Sequence, residues 1–168
     1  DPYEHWQFEH PGSGDRLRVV PERGGLVTGW RCSGQELLYF DAERFQDPAL
    51  SVRGGIPVLF PICGNLPVGQ DTLPGAREPL VQHGFARDLP WRLEALASGD
   101  GIALELEDSA ATRMAFPWSF LLRLELQLLP SALAITALVA HRSAAESAAA
   151  GGAGPEPGPM PFSLGLHP

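Results

Sequence analysis

The run Phe120-Leu121-Leu122-Arg123-Leu124-Glu125-Leu126-Gln127-Leu128 has a period of two. Phe120, Leu122, Leu124, Leu126 and Leu128 fall on one side, and Leu121, Arg123, Glu125 and Gln127 on the other. Successive side chains of an extended chain point to opposite faces. The run therefore predicts a strand with one buried and one solvated face, as antiparallel sheets have. Ile102, Leu104 and Leu106 alternate in the same way with Ala103, Glu105 and Glu107. Leu133, Ile135, Ala137 and Val139 continue the pattern with Thr136 on the opposite face, and Leu129-Pro130-Ser131 is short enough for a tight connection. Less regular extended pieces are expected at 17–20, 25–32, 36–39 and 91–97. A helical period is nowhere sustained, so the expected class is all-β, an antiparallel β-sandwich.

Residues 40–90 contain Pro48, Pro57, Pro61, Pro67, Pro74, Pro79 and Pro90, with glycines at 54, 55, 64, 69, 75 and 84. So many breakers interrupt any ladder, which predicts ordered loop with short extended pieces, the usual carrier of binding residues on a β scaffold. The Ala/Gly/Pro-rich tract at 144–161 reads as a flexible insertion between two strands. The whole of 1–168 is expected to be a single domain.

Composition narrows the function classes. The 168 residues include 17 prolines and 19 glycines, and 12 basic against 20 acidic residues give a net charge of -8. With no basic block, a nucleic-acid or anionic-membrane partner is not expected. Cys32 and Cys63 are too few for a disulfide scaffold or a Cys-rich zinc site. Two buried reduced thiols are expected, with one disulfide as the alternative. The opening Asp1-Pro2-Tyr3-Glu4-His5 has no signal-peptide pattern, and no apolar run approaches the ~20 residues of a membrane span. A cytoplasmic protein is the expectation.

Four side chains are candidates for chemistry. His83 can donate or accept near neutral pH, and Gly84 after it permits a positive φ or a close backbone approach that would aim the ring. The plain alternative is a loop histidine bonded to a carbonyl. Arg87 could fork onto a phosphate, a hydroxyl or a carboxylate, or else pair with Asp88 or Glu94. Arg53, before Gly54-Gly55, could belong to a small anion nest or to a mere turn. His167 would suit a general acid at a sandwich rim, against a plain solvent-exposed histidine. His5, His10 and His141 read as surface, and Trp91 as core. No histidines stand at metal-ligand spacing, and no Gly-x-Ser-x-Gly elbow occurs, so neither a metal nor a serine nucleophile is expected.

Taken together, Arg53-Gly-Gly-Ile-Pro-Val-Leu-Phe-Pro-Ile-Cys-Gly64, His83-Gly-Phe-Ala-Arg-Asp-Leu-Pro-Trp91 and Pro161-Phe-Ser-Leu-Gly-Leu-His-Pro168 resemble the aldose 1-epimerase, or galactose mutarotase-like, family. The likeness is to its hexose-6-phosphate mutarotase branch, from about residue 16 onward. The resemblance implies a large antiparallel supersandwich that interconverts the α and β anomers of an aldose or aldose 6-phosphate without a cofactor. It implies His167 as general acid at the ring oxygen and His83 as a substrate-orienting group. Arg53 and Arg87 would hold a 6-phosphate. The implied partner is a sugar or sugar phosphate, and the implied state a monomer when complete. The family's glutamate base lies downstream of the histidine motif, so the chain is expected to stop before the family's C-terminal region and to be inactive alone. A non-catalytic carbohydrate-binding sandwich is the alternative.

Overall fold

The structure, a computed structural model, describes residues 2–142 and 158–168. Most of the Ala/Gly/Pro-rich tract, positions 144–157, lies outside them. The alternating run at 120–128 lies in β8 (Phe120–Leu129), and its five inward residues are each no more than 2% exposed. It lies between β7 (Gly101–Glu107) and β9 (Ala132–His141), and β6 (Arg92–Ala95) completes a four-stranded antiparallel sheet in the order β6-β7-β8-β9. The β8–β9 connection is tight, with Ser131 at φ 60°.

A second four-stranded antiparallel sheet runs β1 (Trp6–Glu9), β2 (Arg16–Val20), β3 (Leu26–Cys32), β4 (Gln35–Glu36). Leu17, Val19 and Val27 from this sheet join Leu104, Leu122 and Leu124 from the other in one buried cluster, so the two inner faces share a core. This is the sandwich that the alternation predicts. A two-stranded ladder, β5 (Val58–Leu59) with β10 (Gly165–Leu166), completes the strands. Phe60, just after β5, is fully buried at the centre of an aromatic group with Phe85, Phe116 and Phe120.

The loop-rich middle is ordered by specific bonds. Asp41 caps the single-turn helix α1 (Ala42–Phe45), its Oδ1 accepting the Arg44 N–H at 2.9 Å. Buried Arg23 donates to the carbonyls of Phe45 at 3.0 Å and Leu50 at 2.5 Å, and its guanidinium lies 4.9 Å from the Phe45 ring centroid. One arginine thus fixes the loop that leads into the Arg53–Pro57 motif. A second single-turn helix, α2 (Thr112–Ala115), lies between β7 and β8. No helix among the described residues is long and apolar enough to cross a membrane.

Several expectations are corrected. The pieces expected at 36–39 and 91–97 are shorter as strands, Gln35–Glu36 and Arg92–Ala95. His5 is half-buried edge-on to Phe45 rather than surface. Both thiols are free, but Cys63 is exposed and only Cys32 is buried. The outward face of β7 is closed to solvent at two of its three positions: Ala103 is fully buried and Glu105 only 9% exposed, while Glu107 is exposed. The register explains the burial of Glu105, because Arg92, Glu105 and Arg123 stand directly opposite one another across three strands. Glu105 accepts hydrogen bonds from both arginines, and Arg123 also donates to Glu94 at 2.6 Å and to Glu125 at 3.0 Å.

Burial alone raises the Glu105 carboxyl, but the hydrogen bonds from Arg123 and Arg92 outweigh it and hold it below its ordinary value of 4.5. A carboxyl depressed in the folded state adds stability above its unfolded pKa and loses it as pH falls through the folded one. Glu105→Gln is therefore expected to flatten the acid limb of the urea midpoint below about pH 4.5. Arg123→Met should cost about 2 kcal/mol near neutrality, less than for a fully buried pair because Arg92 remains. An acid limb unchanged in Glu105→Gln would show that the cluster does not couple folding to pH.

Candidate functional site

Strand β5 is two residues long, and all three sequence motifs meet on it. Ahead of it, Gly55 N–H donates to the Tyr39 carbonyl at 2.7 Å and Ile56 N–H to the Val27 carbonyl at 2.9 Å. A Cβ on Gly54 would lie 2.1 Å from the Tyr39 carbonyl oxygen. The Arg53-Gly54-Gly55 turn is thus packed against the chain at residues 39–41 and against β3. With the Gly55 and Ile56 amides spent on carbonyls, it forms a close-packed turn rather than an open anion nest. The Arg53 guanidinium has no hydrogen-bond or ionic partner among the described residues.

Beyond β5, the second motif clasps Phe60 and Gly64. The Phe60 carbonyl accepts from Phe85 N–H at 3.0 Å and Ala86 N–H at 3.2 Å. His83 donates its backbone N–H to the Gly64 carbonyl at 2.8 Å, and its Nδ1 accepts the Gly64 N–H at 2.9 Å. A ring nitrogen that accepts carries no proton, so this bond leaves Nε2–H as the donor of the neutral ring. The ring is bonded to an amide, where the plain reading expected a carbonyl. His83 itself has φ 67°, which is uncommon outside glycine and a recurrent mark of positions held for function.

A short 3-10 turn, Ala86–Asp88, carries Arg87. It is anchored by the Trp91 indole, which donates to the Ala86 carbonyl at 2.9 Å, and Trp91 is core as expected. Arg87 donates to the Gln82 carbonyl at 3.2 Å and lies 3.5 Å from the Asp88 carboxylate, one of the two pairings foreseen. Its other expected partner, Glu94, is taken by Arg123 and Arg92. Arg87 lines a cleft of about 260 Å³ with Arg23, Leu50, Ser51 and Pro57. The Arg53 side chain is not part of that wall.

The closing motif docks on β5 as β10, with Gly165 opposite Leu59 and Leu166 opposite Val58. His167 N–H then donates to the Pro57 carbonyl at 3.1 Å. At the other end of the ladder, Ser163 N–H reaches the Pro61 carbonyl at 2.8 Å, and its hydroxyl accepts the Cys63 N–H at 2.8 Å. His167 therefore sits at the Pro57 end of β5 and His83 at the Phe60–Gly64 end. The sequence reading missed Ser163, whose partner is a hundred residues away, and no local signal marks it. Neither imidazole is paired with a carboxylate among the described residues, and no cluster there is suited to a metal ion.

A sandwich of two antiparallel four-stranded sheets, with loop motifs gathered on a short ladder at its rim, is a galactose mutarotase-like fold. A galactose mutarotase-like protein from Lactobacillus casei has that architecture, with TM-score 0.72 at 22% identity over 98% of this chain and 49% of its own. The Slr1438 protein of Synechocystis superposes with TM-score 0.75 at 50% identity, covering 84% of this chain and 50% of that one. The family described as aldose 1-epimerase matches residues 12–151. The chain belongs to the aldose 1-epimerase family. Proteins of Salmonella typhimurium and Escherichia coli named "Putative glucose-6-phosphate 1-epimerase" are 33% and 34% identical over 104 residues, 60% of this chain. The likeness is thus to the hexose-6-phosphate branch. The chain spans about a third of the length of these curated relatives, 32% in each case.

Proposed function

We propose that the protein of which this chain forms part interconverts the α and β anomers of an aldose or aldose 6-phosphate. The observation that supports this reading most is the convergence of the three motifs on β5, with His83 held as an Nε2–H donor. A carboxylate takes the proton from the anomeric hydroxyl, and its O–H electron pair becomes the carbonyl. The C1–O5 bond breaks, and O5 receives a proton from His167. Rotation of the aldehyde and reversal of these steps yield the other anomer. His83 Nε2–H bonds the substrate beside the ring oxygen. The base is assigned outside the described residues, and the 168-residue chain alone is expected not to catalyse exchange.

Saturation-transfer NMR on glucose 6-phosphate and free glucose tests the reading, using this chain and a longer form with the region that the relatives carry. Exchange above buffer with the longer form supports it. Sugar binding without exchange would instead identify a carbohydrate-binding sandwich.

Arg87 is assigned to the 6-phosphate, because a guanidinium fork matches phosphate oxygens; Arg53, whose side chain does not line the Arg87 cleft, is not carried into that role. Arg87→Ala is expected to weaken the phosphorylated sugar about 10- to 100-fold and leave the free aldose nearly unchanged. Equal losses for both sugars would remove Arg87 from that role.

A further inference from the structure

The outer face of the β1–β4 sheet, away from β5, holds a second concentration of arginine. Glu9, Arg16, Arg31 and Glu36 stand opposite one another in one row across the four strands, and Gln7, Arg18 and Gly29 form the next row. Arg16 and Arg31 are direct cross-strand neighbours, an arrangement of like charges that destabilises a sheet unless something offsets it. Arg16 is answered by Glu9 at 2.8 Å, and Arg31 donates to the Gly34 carbonyl at 3.2 Å. Arg18 has no partner among the described residues. Its guanidinium lies over Gly29, 2.8 Å from where a Cβ would stand, so the missing side chain is what admits it.

Thr28 is the extra residue of a β-bulge, because the register shifts between Arg18, opposite Gly29, and Val19, opposite Val27. Bulges re-aim side chains and recur beside binding sites. Thr28 is 1% exposed, and its hydroxyl is buried with no hydrogen-bond partner among the described residues. Buried hydroxyls are seldom left so, because the lost hydration is not repaid. Two adjoining hollows, of about 200 and 410 Å³, meet at Arg18 and Glu36, and Thr28 lines the larger. Glu36 keeps its negative charge on this face, its Oε1 held by the Trp30 N–H at 2.7 Å. Three arginines against two carboxylates leave this face positive on a chain of net charge -8.

We infer that this groove is a second anion site, taking a phosphate-like oxyanion, free or as a phosphomonoester, between the Arg18 guanidinium and the Thr28 hydroxyl. The ligand takes up two donors that this face leaves unspent, Arg18 and the Thr28 hydroxyl, and offsets the Arg16–Arg31 repulsion. It is independent of the Arg87 cleft, which lies at the opposite end of β2–β3, beside Gly24 and Leu26.

The test is a titration with inorganic phosphate at constant ionic strength, chloride being the control, followed by amide shifts and thermal stability. Phosphate should shift the Thr28, Gly29 and Trp30 amides and raise the melting temperature. Arg18→Gln should weaken that response about tenfold. Thr28→Val should behave oppositely in the two buffers. It should melt higher than wild type in chloride, because an unpartnered buried hydroxyl is removed, and should lose about threefold of the phosphate response. Glucose 6-phosphate in place of phosphate separates a phosphomonoester from the free ion. The inference is overturned if chloride produces the same shifts, if only amides of 82–88 move, or if both variants respond as wild type does. The 82–88 result would leave the proposed sugar-phosphate reading intact.

Discussion

Replacing His167 with alanine in the longer protein is expected to lower the anomer exchange rate about 10³-fold while leaving the fold intact, since a positioned general acid contributes roughly 10²–10⁴. The two parts of that expectation rest on different atoms of the same residue. What docks the closing segment is backbone: the His167 N–H to the Pro57 carbonyl, and the Gly165–Leu59 and Leu166–Val58 pairs. Alanine preserves all of these. The imidazole is exposed and has no bonded partner among the described residues, so its removal should change stability by less than about 0.5 kcal/mol. The loss should fall on kcat rather than KM, and the limb of the pH–rate profile that reports the acid should disappear. A variant with unchanged kcat and a normal melting curve would remove His167 from the chemistry. His83→Ala makes the contrast, because its ring accepts the Gly64 N–H and its loss leaves that amide unpaired, at about 1 kcal/mol.

What could be read from the sequence was whatever repeats locally. The alternation of Phe120–Leu128 specifies both the strand and the face it buries, because five large apolar residues in strict alternation have no other way to leave water. The same logic applied to β7 finds the strand but misplaces Ala103 and Glu105, since Ala103 is flanked by Glu94 and Glu125 and Glu105 by Arg92 and Arg123 on the neighbouring strands. Strand β1 escaped notice because Trp6-Gln7-Phe8-Glu9 offers only two apolar residues, and Trp6 is half exposed. Helices α1 and α2 are single turns, too short to show a period. The site divides along the same line. The residue types at 53, 83, 87 and 167 are visible in sequence as motifs. Their gathering on β5 is not, since β10 is two residues long and pairs across more than a hundred positions. Nor does the sequence show the positive φ of His83, which lies in its contacts with Gly64.

Gly84→Ala is expected to be a strongly destabilising single-methyl change at the site, costing about 3–5 kcal/mol. A Cβ on Gly84 would stand 2.2 Å from the Phe60 carbonyl oxygen and 2.5 Å from its carbon, so it would collide with main chain rather than a movable side chain. Retreat is blocked on both sides. The Phe60 oxygen accepts the Phe85 and Ala86 N–H groups, and Phe60 itself is wedged among Phe85, Phe116 and Phe120. Opening the contact therefore breaks two hydrogen bonds or loosens the aromatic core. To this is added the cost of φ 69° for a residue bearing a Cβ, about 1–2 kcal/mol. Gly34→Ala separates the two contributions. Gly34 has φ 83° but nothing within 4 Å of its Cβ position, so alanine there should lose only about 1–2 kcal/mol. Denaturant unfolding of the pair measures the difference directly. Equal losses would mean that the Phe60 contact yields without cost and that His83 is not held in place through Gly84. A large difference, with exchange activity falling in Gly84→Ala even where the protein remains folded, would show that the strain at 83–84 aims the ring. In that case the short distance to Phe60 is a functional dimension of the site as well as a packing one.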